Sequence, residues 1–148
     1  MRLPLLHIAL VSAALALLAA CADEGSPEQE VRAVIQSMEL AAEARDVGEL
    51  MEHISANYRD AQGQDRTEAS RYVRGYFIAN QSVHLLTRIQ SLEFPAPDEA
   101  RVKLQVGMAG REGEQGAGGV TADLHDFDIA LVREDGAWKV GYAHWRSH

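Results

Sequence analysis

In the stretch Arg101-Val102-Lys103-Leu104-Gln105-Val106-Gly107-Met108, the apolar residues Val102, Leu104, Val106 and Met108 alternate with Arg101, Lys103, Gln105 and Gly107. Successive side chains of a strand point to opposite faces, so this period of two predicts a strand with one buried face. Upstream, Val83 to Phe94 predicts a long strand, closed by Pro95-Ala96-Pro97-Asp98. Downstream, residues 110–119 are rich in Gly and Glu and read as a loop. Val120, Ala122 and Leu124 then alternate, and the phase moves to Phe127, Ile129 and Leu131. A one-residue slip of this kind predicts a bulge near His125-Asp126. Glu134-Asp135-Gly136 is a tight hairpin turn, and Trp138 to Trp145 is the last strand.

Before residue 83 the period is helical. Ser26-Pro27-Glu28-Gln29 joins a capping residue, a proline suited to the first helical position and a Gln placed to close a capping box. Val31, Val34, Ile35, Met38, Ala41 and Ala42 follow on one helical face. Asp46-Val47-Gly48-Glu49 reads as a second capping box and opens a short helix, with Val47, Leu50, Met51 and Ile54 on one side. Ser55 to Asp60 leads out of it, and Ala61-Gln62-Gly63-Gln64 is a turn. Asp65-Arg66-Thr67-Glu68 opens a third helix with the stripe Ala69, Tyr72, Val73, Tyr76 and Phe77. The expected class is α+β: three N-terminal helices packed on a curved four-stranded antiparallel sheet.

The chain has 148 residues, room for one domain. Its formal net charge of −8 opposes binding to phosphate backbones, so nucleic acid is not an expected partner. Arg66, Arg71 and Arg74 are interleaved with Glu68 and read as a solvated helix face. The single cysteine, Cys21, excludes an internal disulfide. It follows a positive start at Arg2, an apolar stretch and small residues, the order of a secretory signal. Leu18-Ala19-Ala20-Cys21 resembles the lipobox of bacterial lipoproteins. That resemblance implies a signal peptide over 1–20, acylation (palmitate included) of Cys21, a tether over 21–26 and a domain over 27–148. Several acyl chains hold stably to a membrane where one does not. Ala22 after the cysteine, rather than Asp, implies sorting to the periplasmic face of the outer membrane.

The acid-capped helix Asp46–Ile54, the segment Ile54 to Asp60 with Gly63, the third helix and the hairpin Glu134 to Val140 together resemble the NTF2-like superfamily, the SnoaL-like or cystatin-like cone folds. The resemblance spans nearly the whole chain after the leader. It implies a bent sheet whose hollow is filled by helices around a cavity. Some members of the superfamily are isomerases, dehydratases, cyclases or hydrolases; others bind ligands or proteins without chemistry, and many dimerise through the sheet. Fold alone does not select among these.

Two clusters could carry chemistry. Tyr58 and Asp60 on one cavity could polarise a carbonyl and shuttle a proton, as in steroid-isomerase-like members of the superfamily. The plainer reading has Asp60 organising the turn before Gly63 and Tyr58 packing between helices. His125 with Asp126 would make a general base or half a metal site if the expected bulge turned them together. In a regular strand Asp126 and Asp128 share a face and His125 opposes them, as charges that keep a strand edge soluble. Tyr76, His84, Phe127, Tyr142, His144 and Trp145 are expected to line a pocket, with core packing or a dimer seam as the alternative for the aromatic residues. No His-Glu-x-x-His, His-x-His or paired cysteine suggests a metal, and no Gly-x-Ser-x-Gly suggests a serine hydrolase. Gly116 to Gly119 lacks the Lys of a phosphate loop, so no cofactor is expected. The expectation is therefore a non-catalytic module for a small apolar ligand or a protein, held at the cell envelope through Cys21 and able to form a homodimer. The alternative is a small isomerase- or dehydratase-type enzyme using a pocket Asp/Tyr or His–Asp pair.

Overall fold

A computed structural model describes residues 25–112 and 120–148. The expectations placed on the leader, on Cys21 and on residues 113–119 lie outside the described residues. Helix α1 (Pro27–Glu43) begins with the capping box read from the sequence: Ser26 accepts the Gln29 N–H, and the Gln29 side chain accepts the Ser26 N–H. The short α2 (Val47–Glu52) is capped by Asp46, whose side chain accepts the Glu49 N–H; the other half of the box expected there is not formed, since the Asp46 N–H donates to the Ala41 carbonyl. After β1 (Ile54–Asp60), α3 (Arg66–Ala79) opens on a second capping box, Asp65 with Glu68. Four long strands follow: β2 (Asn80–Ala96), β3 (Glu99–Glu112), β4 (Val120–Glu134) and β5 (Ala137–Ser147). Asp135 and Gly136, both at positive φ, make the β4–β5 hairpin turn.

The sheet has five strands in the order β1-β5-β4-β3-β2. Four of them are antiparallel neighbours, and β1 runs parallel to β5. The expected four-stranded antiparallel sheet is corrected on both counts. Ile54 to Asp60 is a strand rather than an exit from α2. Its Ser, Asn and Asp residues are poor strand formers alone, and the pairing with β5 overrides that preference. Ser55 is fully buried, with its hydroxyl bonded to the Glu134 side chain. Gly110 to Glu112, read as the start of a loop, are the end of β3.

The bulge also lies elsewhere. β3 and β4 pair without a shift from Val120 to Val132, straight through His125-Asp126. The irregularity sits in β5, where Leu131 faces Val140 and Ala130 faces Tyr142, so that Gly141 is the extra residue. Inward-facing positions on β5 therefore run Trp138 and Val140, then Ala143 and Trp145. The helices cover this inner face, and Val31, Ile35, Phe77, Val102 and Leu131 belong to the resulting core. Leu131, Val31 and Val102 are among its largest fully buried side chains.

Candidate functional site

Between the helices and the inner face of the sheet lies a cavity of about 390 Å³. Pockets of this size suit a small organic ligand. Its walls are largely apolar: Leu50 and Met51 from α2, Phe77 from α3, Val83 from β2, Leu104 and Val106 from β3, and Ile129 from β4. Phe127 and Trp145, cross-strand partners, stack along one side with ring centroids 6.1 Å apart.

Asp60 closes β1 and lines this cavity with only 5% of its surface exposed. Its Oδ1 accepts the N–H groups of Gln62 and Gln64, each at 2.9 Å. The Asp60 N–H donates to the Gln64 carbonyl, and its own carbonyl accepts the Gly63 N–H. Gly63 stands at φ +82°, a left-handed conformation that glycine adopts without a steric penalty. The turn thus fixes the carboxylate through one oxygen. The other oxygen, Oδ2, is buried without a hydrogen-bond partner. An unsatisfied buried polar group costs roughly 1–3 kcal/mol, so such a group calls for an explanation.

Tyr58 lies two residues earlier on the same strand and also lines the cavity. Burial, and then the nearby charges of Asp60 and Tyr142, push its hydroxyl up to about 12. At neutral pH it is therefore a proton donor and not a phenolate. Tyr58, a hydrogen-bond donor, and Asp60, with one carboxylate oxygen unpartnered, thus both line one largely apolar chamber.

A second polar group comes from Asp123 and His125 on β4 and Tyr72 and Tyr76 on α3, all lining the same cavity. Burial first, and then the Asp123 charge, raises the Tyr76 hydroxyl above the ordinary tyrosine value. The His125 Nδ1 is 3.0 Å from the Ser147 hydroxyl. Asp126 points away, to the outer face, where its Oδ2 lies 2.7 Å from His148 Nε2 and the Gln105 amide donates to Oδ1. His148, mainly, holds the Asp126 carboxyl below the usual aspartate range. The expected His125–Asp126 pair is therefore not formed: with no bulge there, neighbouring residues of a strand face opposite ways.

Of the expected lining residues, Tyr76, Phe127 and Trp145 stand at the cavity. His84, Tyr142 and His144 do not. Alternation in β2 turns His84 outward between the inward Val83 and Leu85, and the extra Gly141 shifts Tyr142 and His144 to the outer face. The sequence reading missed Asp123 and Glu39. Asp123 has a signal in hindsight, since it shares the strand phase of Phe127 and Ile129. Glu39 sits one residue after Met38 and four after Ile35 on the covered side of α1, and all three line the cavity. Among the described lining residues there is no Lys or Arg, and no group of His, Cys, Asp and Glu among the described residues could hold a metal ion. No described helix is long and apolar enough to cross a membrane.

No family model matches the sequence, and no curated protein matches it either. Solved structures do. A candidate dehydratase of the NTF2-like family from Streptomyces avermitilis superposes with a TM-score of 0.70 at 13% identity, covering 81% of this chain and 95% of that one. A ketosteroid isomerase-like protein from Erwinia carotovora atroseptica gives 0.67 at 13%, covering 83% and 98%. The type-3 hexachlorocyclohexane dehydrochlorinase of Novosphingobium barchaimii gives 0.65 at 17%, covering 82% and 88%. At these identities the likeness concerns the fold, and the activities belong to those proteins. They nonetheless correct two expectations, that the domain is a non-catalytic binding module and that the chain is not an enzyme. Several structures of this shape carry the names of eliminating and isomerising enzymes. What the chain shares with them throughout is the NTF2-like fold.

Proposed function

We propose that this domain is a small enzyme of the isomerase or dehydratase type, acting on a hydrophobic carbonyl compound held between helices and sheet. The observation that carries this reading is the buried Asp60 carboxylate in the lining of an apolar cavity, anchored through Oδ1 and without a hydrogen-bond partner at Oδ2. In the proposed step, Oδ2 takes a proton from the carbon next to the carbonyl. The C–H electron pair moves onto the carbonyl oxygen, where the Tyr58 hydroxyl donates to the developing negative charge. Isomerisation ends when the carboxyl returns the proton to a different carbon. Dehydration ends when the pair expels a β-hydroxyl, which leaves as water on taking that same proton. The two outcomes share one base and one donor, and the substrate decides between them. The names of the structurally similar enzymes agree with this class of chemistry.

The test is turnover of β,γ-unsaturated and β-hydroxy ketones to conjugated enones, followed by ultraviolet absorbance. Wild-type protein is expected to convert at least one ketone, and Asp60→Asn to convert none above background. Equal rates for the two proteins would refute the assignment.

The same proposal places the domain, over residues 27–148, on a lipid tether at the periplasmic face of the outer membrane. Its support is the sequence Leu18-Ala19-Ala20-Cys21 followed by Ala22. Mass spectrometry of the protein from a diderm bacterial host is expected to find an acylated N-terminal Cys21. An intact N-terminus would refute the tether.

A further inference from the structure

The charge of the cavity lining goes beyond the reaction class. Three carboxylates line it, those of Glu39, Asp60 and Asp123, and among the described lining residues His125 is the one ionisable base. The chain as a whole is negative as well. A ligand carboxylate or phosphate would lose its water to enter a largely apolar chamber and would meet like charge there without a Lys or Arg to answer it. A ligand cation would meet the opposite. Asp123 is exposed and lies on the inner phase of β4, opposite Met108 of β3, while Tyr72 and Tyr76 present aromatic rings to the same cavity from α3. Asp60 differs: it is buried, with one oxygen unpartnered, and it is the base of the reaction proposed above.

We infer that the substrate class is a hydrophobic carbonyl compound that also bears an amine, whose protonated nitrogen rests at the exposed end of the cavity against Asp123 and the rings of Tyr72 and Tyr76, while its carbonyl end extends toward Tyr58 and Asp60. This rests on the enzymatic reading above and adds the charge of the substrate. A cation near a tyrosine face gains attraction from the ring as well as from the carboxylate. The Asp123 charge already raises the neighbouring Tyr76 hydroxyl, which places the two groups within electrostatic reach. The same arrangement, among the described residues, disfavours anionic substrates.

Three probes of matched shape separate charge from apolar contact: naphthylmethylamine, naphthalenemethanol and naphthoate, titrated by calorimetry against the full soluble domain. The amine is expected to bind about tenfold tighter than the alcohol, about 1.4 kcal/mol, with the carboxylate weakest. Asp123→Asn, at an exposed position, is expected to remove the amine's advantage and leave the alcohol's affinity and the melting temperature unchanged. Equal binding of amine and alcohol, or preferred binding of naphthoate, overturns the inference, as does an amine advantage that survives Asp123→Asn. The failures are distinguishable. A lost amine preference with Asp60-dependent turnover of neutral ketones sinks the charge inference alone. An amine preference that depends on Asp123, beside turnover unaffected by Asp60→Asn, sinks the enzymatic reading.

Discussion

Glu30 and Asp60 are carboxylates at different ends of the helix-covered side of the sheet, and they live in opposite circumstances. Glu30, on α1, accepts from Arg133 at 2.7 Å and from the Trp138 indole at 2.8 Å through one oxygen. The Arg133 guanidinium also lies over the Trp138 ring, 4.6 Å from its centroid, and reaches Asp98. Arg133, above all, keeps the Glu30 carboxyl below its ordinary range. This end ties α1 to the β4–β5 hairpin. Asp60 at the other end keeps a buried oxygen without a partner, in a cavity that the packing leaves unfilled. The molecule thus joins a closed end, where Glu30 is matched although the nearby His53 Nε2 is buried without a hydrogen-bond partner, to an open end, where one Asp60 oxygen is unmatched. The difference teaches that an unmatched buried oxygen costs stability, which matched contacts elsewhere in the molecule offset.

The largest expected effect is at the open end. Asp60→Asn keeps a side-chain oxygen for Gln62 and Gln64 and loses the base, so turnover should fall by roughly 10²–10⁴-fold with little change in melting. At the closed end, Leu131→Ala empties a fully buried position and should cost about 2–5 kcal/mol by urea unfolding, with ligand affinity changing far less. A loss of turnover larger than the loss of folded protein would break the division between the ends. Gly63→Ala, at φ +82°, sits between the two kinds of effect. It should destabilise by about 1–2 kcal/mol and also disturb the turn that aims Asp60, so turnover falls more than unfolding accounts for.

Smaller effects follow from pH. The Glu30 carboxyl titrates lower folded than unfolded, so its contribution is present above the unfolded value and fades as pH falls through the folded one. Glu30→Gln should flatten that acid limb in urea titrations and leave the turnover rate at neutral pH unchanged. Tyr58 has the reverse sign. Its hydroxyl is raised from 10 to about 12, so the stability it contributes is present below 10 and is lost as pH rises toward 12. In a phenol absorbance titration Tyr58→Phe should remove the latest-titrating tyrosine.

Locally coded features were legible in the sequence. The Ser26–Gln29 box, the helix start at Asp65 and the Asp135-Gly136 turn depend on residues a few positions apart, and each appears where it was read. β1 was not legible. Its partner is β5, more than eighty residues downstream, and no short-range pattern announces a parallel pairing of a polar segment. The apparent slip at His125 has its cause in the cavity lining. Asp123 and His125 put polar groups on the covered face, while Leu124 stands exposed on the other, so the hydrophobic code inverts near the cavity and mimics a bulge. The real bulge at Gly141 then misplaced Tyr142 and His144. Tyr58 and Asp60 could be named from residue type and neighbourhood. That one Asp60 oxygen organises the turn while the other has no partner is a tertiary fact.

The central claim is that Asp60 Oδ2 accepts a proton from carbon. It is tested most directly by incubating the domain with a hydrophobic ketone in deuterated water and following loss of the α-proton signal by NMR, a readout that needs no product to form. Wild-type protein should wash the proton out, and Asp60→Asn, folded and still binding the ketone, should fall to the protein-free rate. Washout by Asp60→Asn at the wild-type rate would contradict the account.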